Sequence, residues 1–312
     1  MLWYAGYMPR HSPVVLRVAL CLVAVVSGAA CGGGRSAPVE PVVTATPAAT
    51  GGEPTHRELA YADAARTFDL YLPRDARPAP VAIWLHGGSW IAGDKRPLPL
   101  ALFRLRDRGF AVASVNYRLT GLTSHPAQLH DVKGAVRWLR AHAPEYGLDP
   151  ARMYFVGFSA GAHLASLAAL TAGDPASEGD VGGNRNQSSA VGGVVGIAGP
   201  SDLLRLAGEC TGCEISPEFV ALGCSFLLCG DLGRAASSIT HAHRGAPPFL
   251  LLHGDADRLV PPEQARLLDA ALRAVGADSR LVLTPGGAHG LLDAAAEREA
   301  QAFLLRLAGL PR

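Results

Sequence analysis

The chain reads as an α/β protein with a mainly parallel, doubly wound sheet and helices on both faces. Two observations predict this. Short apolar runs recur from about residue 55 onward, and longer segments carrying a single apolar stripe separate them. The strand candidates are Val81–Leu85, Ala111–Asn116, Met153–Val156, Val191–Ile197, Phe249–Leu252 and Arg280–Leu283. Each is brief and continuous rather than alternating, as expected of strands covered on both faces. Three helices show apolar residues at i, i+3, i+4, i+7: Val132, Ala135, Val136 and Leu139; Leu268, Ala271, Leu272 and Val275; Ala300, Phe303, Leu304 and Leu307. Residues 55–72 alternate more and predict antiparallel strands at the sheet edge.

At 312 residues, 49% of them hydrophobic, the chain can bury a sizeable core. The net charge is +1 with both signs interspersed, and no basic stretch or helix face marks a nucleic-acid partner. The first 30 residues read as a secretory signal peptide. Arg10 and Arg17 precede an apolar run, Val18–Ala30, that ends in small residues. That run falls short of the roughly 20 apolar residues of a membrane span, and Met8 is an alternative start. Cys31, in SGAAC followed by three glycines, resembles a bacterial lipoprotein processing site, although Gly28 stands where such sites usually carry leucine. Lipidation there would anchor the exported protein to a membrane; the alternative is cleavage near Ala30 and a secreted, soluble product. Residues 31–54, rich in Gly, Pro, Ala and Thr, read as a flexible tether, too poor in apolar surface to offset its ordering entropy. Residues 55–312 then read as one folded domain.

The chemistry centres on Gly157-Phe158-Ser159-Ala160-Gly161, a G-x-S-x-G motif between a strand and a helix expected over 162–170. This context describes a nucleophile elbow, a tight turn that holds the serine outside the sheet at a helix N-terminus. A serine hydroxyl needs a base and an orienting acid. Asp255 and Asp257 both follow the strand ending at Leu252, so both would face the same sheet edge as Ser159. His289, in Pro285-Gly-Gly-Ala-His-Gly290, follows the last strand in a loop loose enough to bring an imidazole over the elbow. His86-Gly87-Gly88-Ser89-Trp90 follows the strand ending at Leu85, and its backbone N–H groups, with that of Ala160, suit a tetrahedral oxyanion. His86 would brace this loop. Trp90 would either pack or line the acyl pocket, and Phe158 is a second candidate pocket residue.

With these residues in view, the chain resembles the small carboxylesterases of the α/β-hydrolase fold, the branch of feruloyl/acetyl esterase-like, hormone-sensitive-lipase-like and kynurenine-formamidase-like enzymes. The matching pieces are HGGSW, NYRL (Asn116–Leu119), the helix from His130, GFSAGAHLA, HGDADRLVP and GGAHG, in order from residue 81 to the C-terminus. The resemblance implies Ser159 as nucleophile, Asp257 rather than Asp255 as the acid, His289 as base, Gly88, Ser89 and Ala160 as oxyanion donors with Gly87 as a further candidate, and no cofactor or metal. The serine in HGGSW departs from the third glycine usual in the hormone-sensitive-lipase-like branch. The expected reaction is hydrolysis of a short-chain or aryl ester, a small-molecule substrate, through an acyl-enzyme. Amide, formamide or peptide hydrolysis would use the same triad. A non-catalytic binding protein on this fold would be expected to lack a triad member.

Cys210, Cys213, Cys224 and Cys229 cluster before the acid strand. In an exported protein they predict two disulfides. A nested pairing, Cys210–Cys229 around Cys213–Cys224, avoids the very short loop of a Cys210–Cys213 bridge; a four-cysteine zinc site is the rival. The resemblance implies that such an insert lies near the active site.

Overall fold

The computed structural model describes residues 52–75, 78–121, 123–209, 221–223, 230–290 and 292–311. The signal segment, Cys31 and the four clustered cysteines lie outside the described residues. One eight-stranded sheet organises the domain, in the order β1-β2-β4-β3-β5-β6-β7-β8. The strands are β1 (His56–Ala60), β2 (Thr67–Tyr71), β3 (Ala79–Leu85), β4 (Ala111–Val115), β5 (Leu148–Phe158), β6 (Val194–Ile197), β7 (Phe249–Gly254) and β8 (Ser279–Thr284). β1 and β2 pair antiparallel, β2 joins β4 antiparallel, and all remaining pairs are parallel. This is the α/β-hydrolase architecture.

Each expected strand is present, with two differences in placement. β2 is buried at all five residues, because β1 and β4 flank it; only β1 is the antiparallel edge. β8 is half-exposed rather than buried, because it closes the opposite edge with β7 as its single neighbour.

Helices α1 (Leu100–Arg106), α2 (Ala127–Ala141), α3 (Ala160–Leu170), α6 (Glu263–Ala274) and α7 (Ala294–Ala308) cover the sheet, while α4 (Leu203–Glu209) and α5 (Gly230–Ala236) pack on each other. Alternate β3 residues face opposite layers. Val81, Ile83 and Leu85 pack with Val132, Leu164 and Leu268 of α2, α3 and α6, whereas Ala82 and Trp84 pack with Leu102 of α1 and with Phe303 and Leu304 of α7. The stripe on α6 stops one residue early: Val275 is the C-cap and is exposed. α7 carries both terminal signals of a helix. The Asp293 carboxylate accepts the Ala296 N–H at 2.7 Å, and Gly309 ends the helix at φ 66°.

Strand order reverses at β3. The chain leaves β3 through α1 to β4 on one side, then returns through α2 to β5 on the other. In open parallel sheets, the crevice beyond the strand C-termini at such a reversal is where ligands bind. The HGGSW loop after β3 and the elbow after β5 meet there.

Candidate active site

The elbow is built by close approach. Ser159 has φ 52° and ψ −121°, a backbone conformation rare for a residue with a side chain. Its N–H donates to Ile197 O at 2.8 Å and its carbonyl accepts His163 N–H at 3.0 Å, which ties the strained residue to β6 behind and α3 ahead. The flanking glycines permit the turn. A Cβ on Gly157 would stand 2.5 Å from Gly161 O, and one on Gly161 would stand 2.1 Å from Leu85 O. α3 begins at Ala160, two residues before the helix expected from sequence, because the turn into it is that sharp.

Three loops from distant parts of the chain converge on Ser159. The hydroxyl lies 3.1 Å from His289 Nε2, and His289 Nδ1 lies 2.7 Å from Asp257 Oδ2. Asp255 turns elsewhere: its Oδ1 accepts the Gly286 N–H at 2.6 Å and braces the histidine loop. Asp257 is a fully engaged carboxylate. Oδ1 accepts the N–H groups of Leu259 and Val260 at 2.9 and 3.0 Å. Oδ2 faces both His289 and a second imidazole, His253 Nε2, at 3.2 Å. His253 is fully buried at the end of β7, and the same Nε2–H also donates to Val260 O at 2.9 Å. Burial by itself would raise the Asp257 carboxyl. The hydrogen bonds from His253, His289 and Val260 outweigh it and hold the group well below the usual carboxylate range. Sequence reasoning missed His253; its place in HGDADRLVP, four residues before Asp257, was the available signal.

The HGGSW loop carries its own strain. Gly88, Ser89 and Trp90 have φ of 118°, 51° and 60°. A Cβ on Gly88 would meet Ala92 O at 2.2 Å. Among the described residues, no acceptor is paired with the N–H of Gly87, Gly88, Ser89 or Ala160. The loop is braced from below. His86 donates through Nδ1 to Gly87 O at 2.8 Å, and its ring stacks on Tyr117 at 4.4 Å. Tyr117 Oη donates to His86 O at 2.7 Å, and burial lowers the His86 pKa. Thr120 donates its N–H and Oγ1 to Trp90 O, both at 2.7 Å.

Trp90 is buried and packs rather than opening to solvent. Its Nε1–H donates to His163 Nδ1 at 3.2 Å, and His163 Nε2–H donates to Ala236 O at 2.7 Å. These partners require a neutral His163. Its burial accordingly pushes the pKa down to about 4. Phe158 lies beside His289, with its ring centroid 5.1 Å from that of the imidazole.

A strained serine on a strand-to-helix turn, hydrogen-bonded in series to an imidazole and a carboxylate, defines the class of α/β-hydrolases. The BD-FAE family model matches residues 68–272, and the chain belongs to this family of α/β-hydrolase esterases. It is 37% identical over 221 residues to "Esterase LipQ" of Mycobacterium tuberculosis, covering 70% of this chain and 52% of that protein. It is 36% identical over 240 residues to "Esterase LipC" of the same organism, covering 75% and 59%. The chain thus spans little more than half the length of these relatives. Among solved structures, a truncated carbohydrate esterase from gut microbiota superimposes with a TM-score of 0.75 at 29% identity, over 81% of this chain and 95% of that one.

Proposed function

We propose that this protein is a serine carboxylesterase acting on short-chain or aryl esters. The observation that carries this reading is the relay from Ser159 through His289 to Asp257, at 3.1 and 2.7 Å, on a serine already held at φ 52°. In this mechanism His289 Nε2 takes the Ser159 proton as Oγ attacks the ester carbonyl. Asp257 keeps the Nδ1–H tautomer and stabilises the imidazolium. The unpaired N–H groups of Ala160 and of the Gly88–Ser89 segment, with Gly87 as a further donor, receive the oxyanion. The imidazolium then protonates the leaving alcohol, which leaves an acyl-Ser159 ester. Water, deprotonated by His289, attacks that ester and releases the acid.

The esterase names of the relatives support the substrate class. The signal-like segment and Cys31 support export with a lipid anchor, which would hold the domain at a membrane surface on a tether. The test is turnover of p-nitrophenyl acetate and butyrate by the full chain and by Ser159→Ala. Loss of about three orders of magnitude or more in kcat is expected in the variant, together with loss of fluorophosphonate labelling. Equal turnover by both proteins would remove Ser159 from the mechanism.

A further inference from the structure

On the face of the sheet away from α3, a cavity of about 470 Å³ lies between α1 and α7. That size falls within the range of small-molecule pockets. Its floor is formed by the C-terminal ends of four strands, at Trp84, Val156, Ile197 and Leu252. Its walls are mainly apolar, with Leu102 of α1 and Leu304 of α7 among them; Glu297 and Gln301 are the polar exceptions. Two wall residues adjoin the triad in sequence: Phe158 precedes Ser159 and Gly290 follows His289.

The Phe158 ring borders this cavity and also lies against the His289 ring, with centroids 5.1 Å apart. One edge abuts Gly87 of the HGGSW loop, where an added Cβ would lie 2.8 Å from Cδ1. The opposite edge abuts Gly290, where an added Cβ would lie 2.7 Å from Cε2 and Cζ. The ring therefore fills the gap between the oxyanion loop and the histidine loop. A side chain at either glycine would collide with the ring.

Taking Ser159 as the ester-cleaving nucleophile, we infer that Phe158 sets the acyl-length limit by partitioning the ester site from an apolar cavity able to hold a linear acyl chain. Wild type is then confined to short acyl groups. Removing the ring joins the two spaces, and each methylene that enters the cavity leaves water, which is worth roughly fourfold in kcat/KM.

The test compares kcat/KM for p-nitrophenyl decanoate and acetate in wild type, Phe158→Ala, Phe158→Leu and the double variant Phe158→Ala/Ala300→Phe. Ala300 lines the cavity on α7, so phenylalanine there would refill the space from a position other than the partition. The decanoate-to-acetate ratio is expected to rise at least tenfold in Phe158→Ala, less in Phe158→Leu, and to return toward wild type in the double variant. An unchanged ratio in both single variants would overturn the partition and leave the esterase reading intact. A raised ratio that persists in the double variant would also overturn it, because the longer chain would then lie elsewhere. Absence of ester turnover in wild type would instead remove the hydrolase reading, and this inference with it.

Discussion

Replacing Asp257 by asparagine changes one oxygen to an NH2 group, and the surroundings decide where that group must go. At the Oδ1 position it would face the backbone N–H groups of Leu259 and Val260, two donors that have no alternative state. At the Oδ2 position it would face His289 Nδ1, which can shed its proton to Nε2, and His253 Nε2–H, which keeps Val260 O as its acceptor. The second arrangement costs less, so the asparagine forces His289 into the tautomer that carries its proton toward Ser159. Such an imidazole cannot accept the serine proton. The same substitution in a serine protease triad lowers kcat by about 10⁴, which corresponds to about 5.5 kcal/mol of transition-state stabilisation. The side chain keeps its shape, so the fold should survive. The assay is kcat on p-nitrophenyl butyrate at pH 7.5 for Asp257→Asn beside Asp255→Asn, with circular dichroism on both. A fall of at least 10³ is expected for Asp257→Asn and less than tenfold for Asp255→Asn, whose amide oxygen can still accept the Gly286 N–H. More than a tenth of wild-type activity in a folded Asp257→Asn protein would refute the tautomer argument. A larger loss at Asp255 would reverse the assignment of the two carboxylates.

Trp90→Phe removes the donor to His163 Nδ1, leaving a buried acceptor unpaired. A destabilisation of about 1–3 kcal/mol is expected, read from urea midpoints; an unchanged midpoint would show that the bond contributes nothing. Acid should weaken the fold in a defined window. His163 titrates near 4 in the folded state through burial, against about 6.5 when unfolded, so the unfolded chain binds the extra proton first and stability falls as pH drops from 6.5 toward 4. The loss approaches roughly 3 kcal/mol from His163. His125, lowered to about 4 by burial and by neighbouring histidines, acts in the same direction. Denaturation free energies at pH 7 and pH 4.5 test this, and equal values would contradict a neutral, buried His163. Finally, Cys31→Ser in the full chain expressed in a bacterial host should move the protein from the membrane fraction to the soluble exported fraction. Continued membrane association of the variant would exclude Cys31 as the anchor.

The sequence alone carried what local chemistry determines. Continuous apolar runs and 3.6-residue stripes are short-range patterns, so strands and helices were legible within a few residues. G-x-S-x-G after a strand described a backbone conformation, and Ser159 at φ 52° is that conformation. The order of serine, acid and histidine followed from resemblance rather than spacing. Tertiary structure decided what depends on approach between remote segments. Ser159 and His289 are 130 residues apart and Asp257 and His289 are 32 apart; their distances exist only once β5, β7 and β8 lie in register. Asp255 and Asp257 stand two residues apart in one loop; resemblance favoured Asp257 as the acid, and the loop's path puts Asp255 on Gly286 and Asp257 on His289. Trp90 was open between packing and pocket until His163 supplied a buried acceptor. β2 and β8 were misplaced between edge and interior because burial of a strand depends on its neighbours, which its own residues do not specify. His253 and the Phe158 partition likewise arise from contacts across the sheet's C-terminal edge, where geometry selects among side chains that the sequence presents as equals.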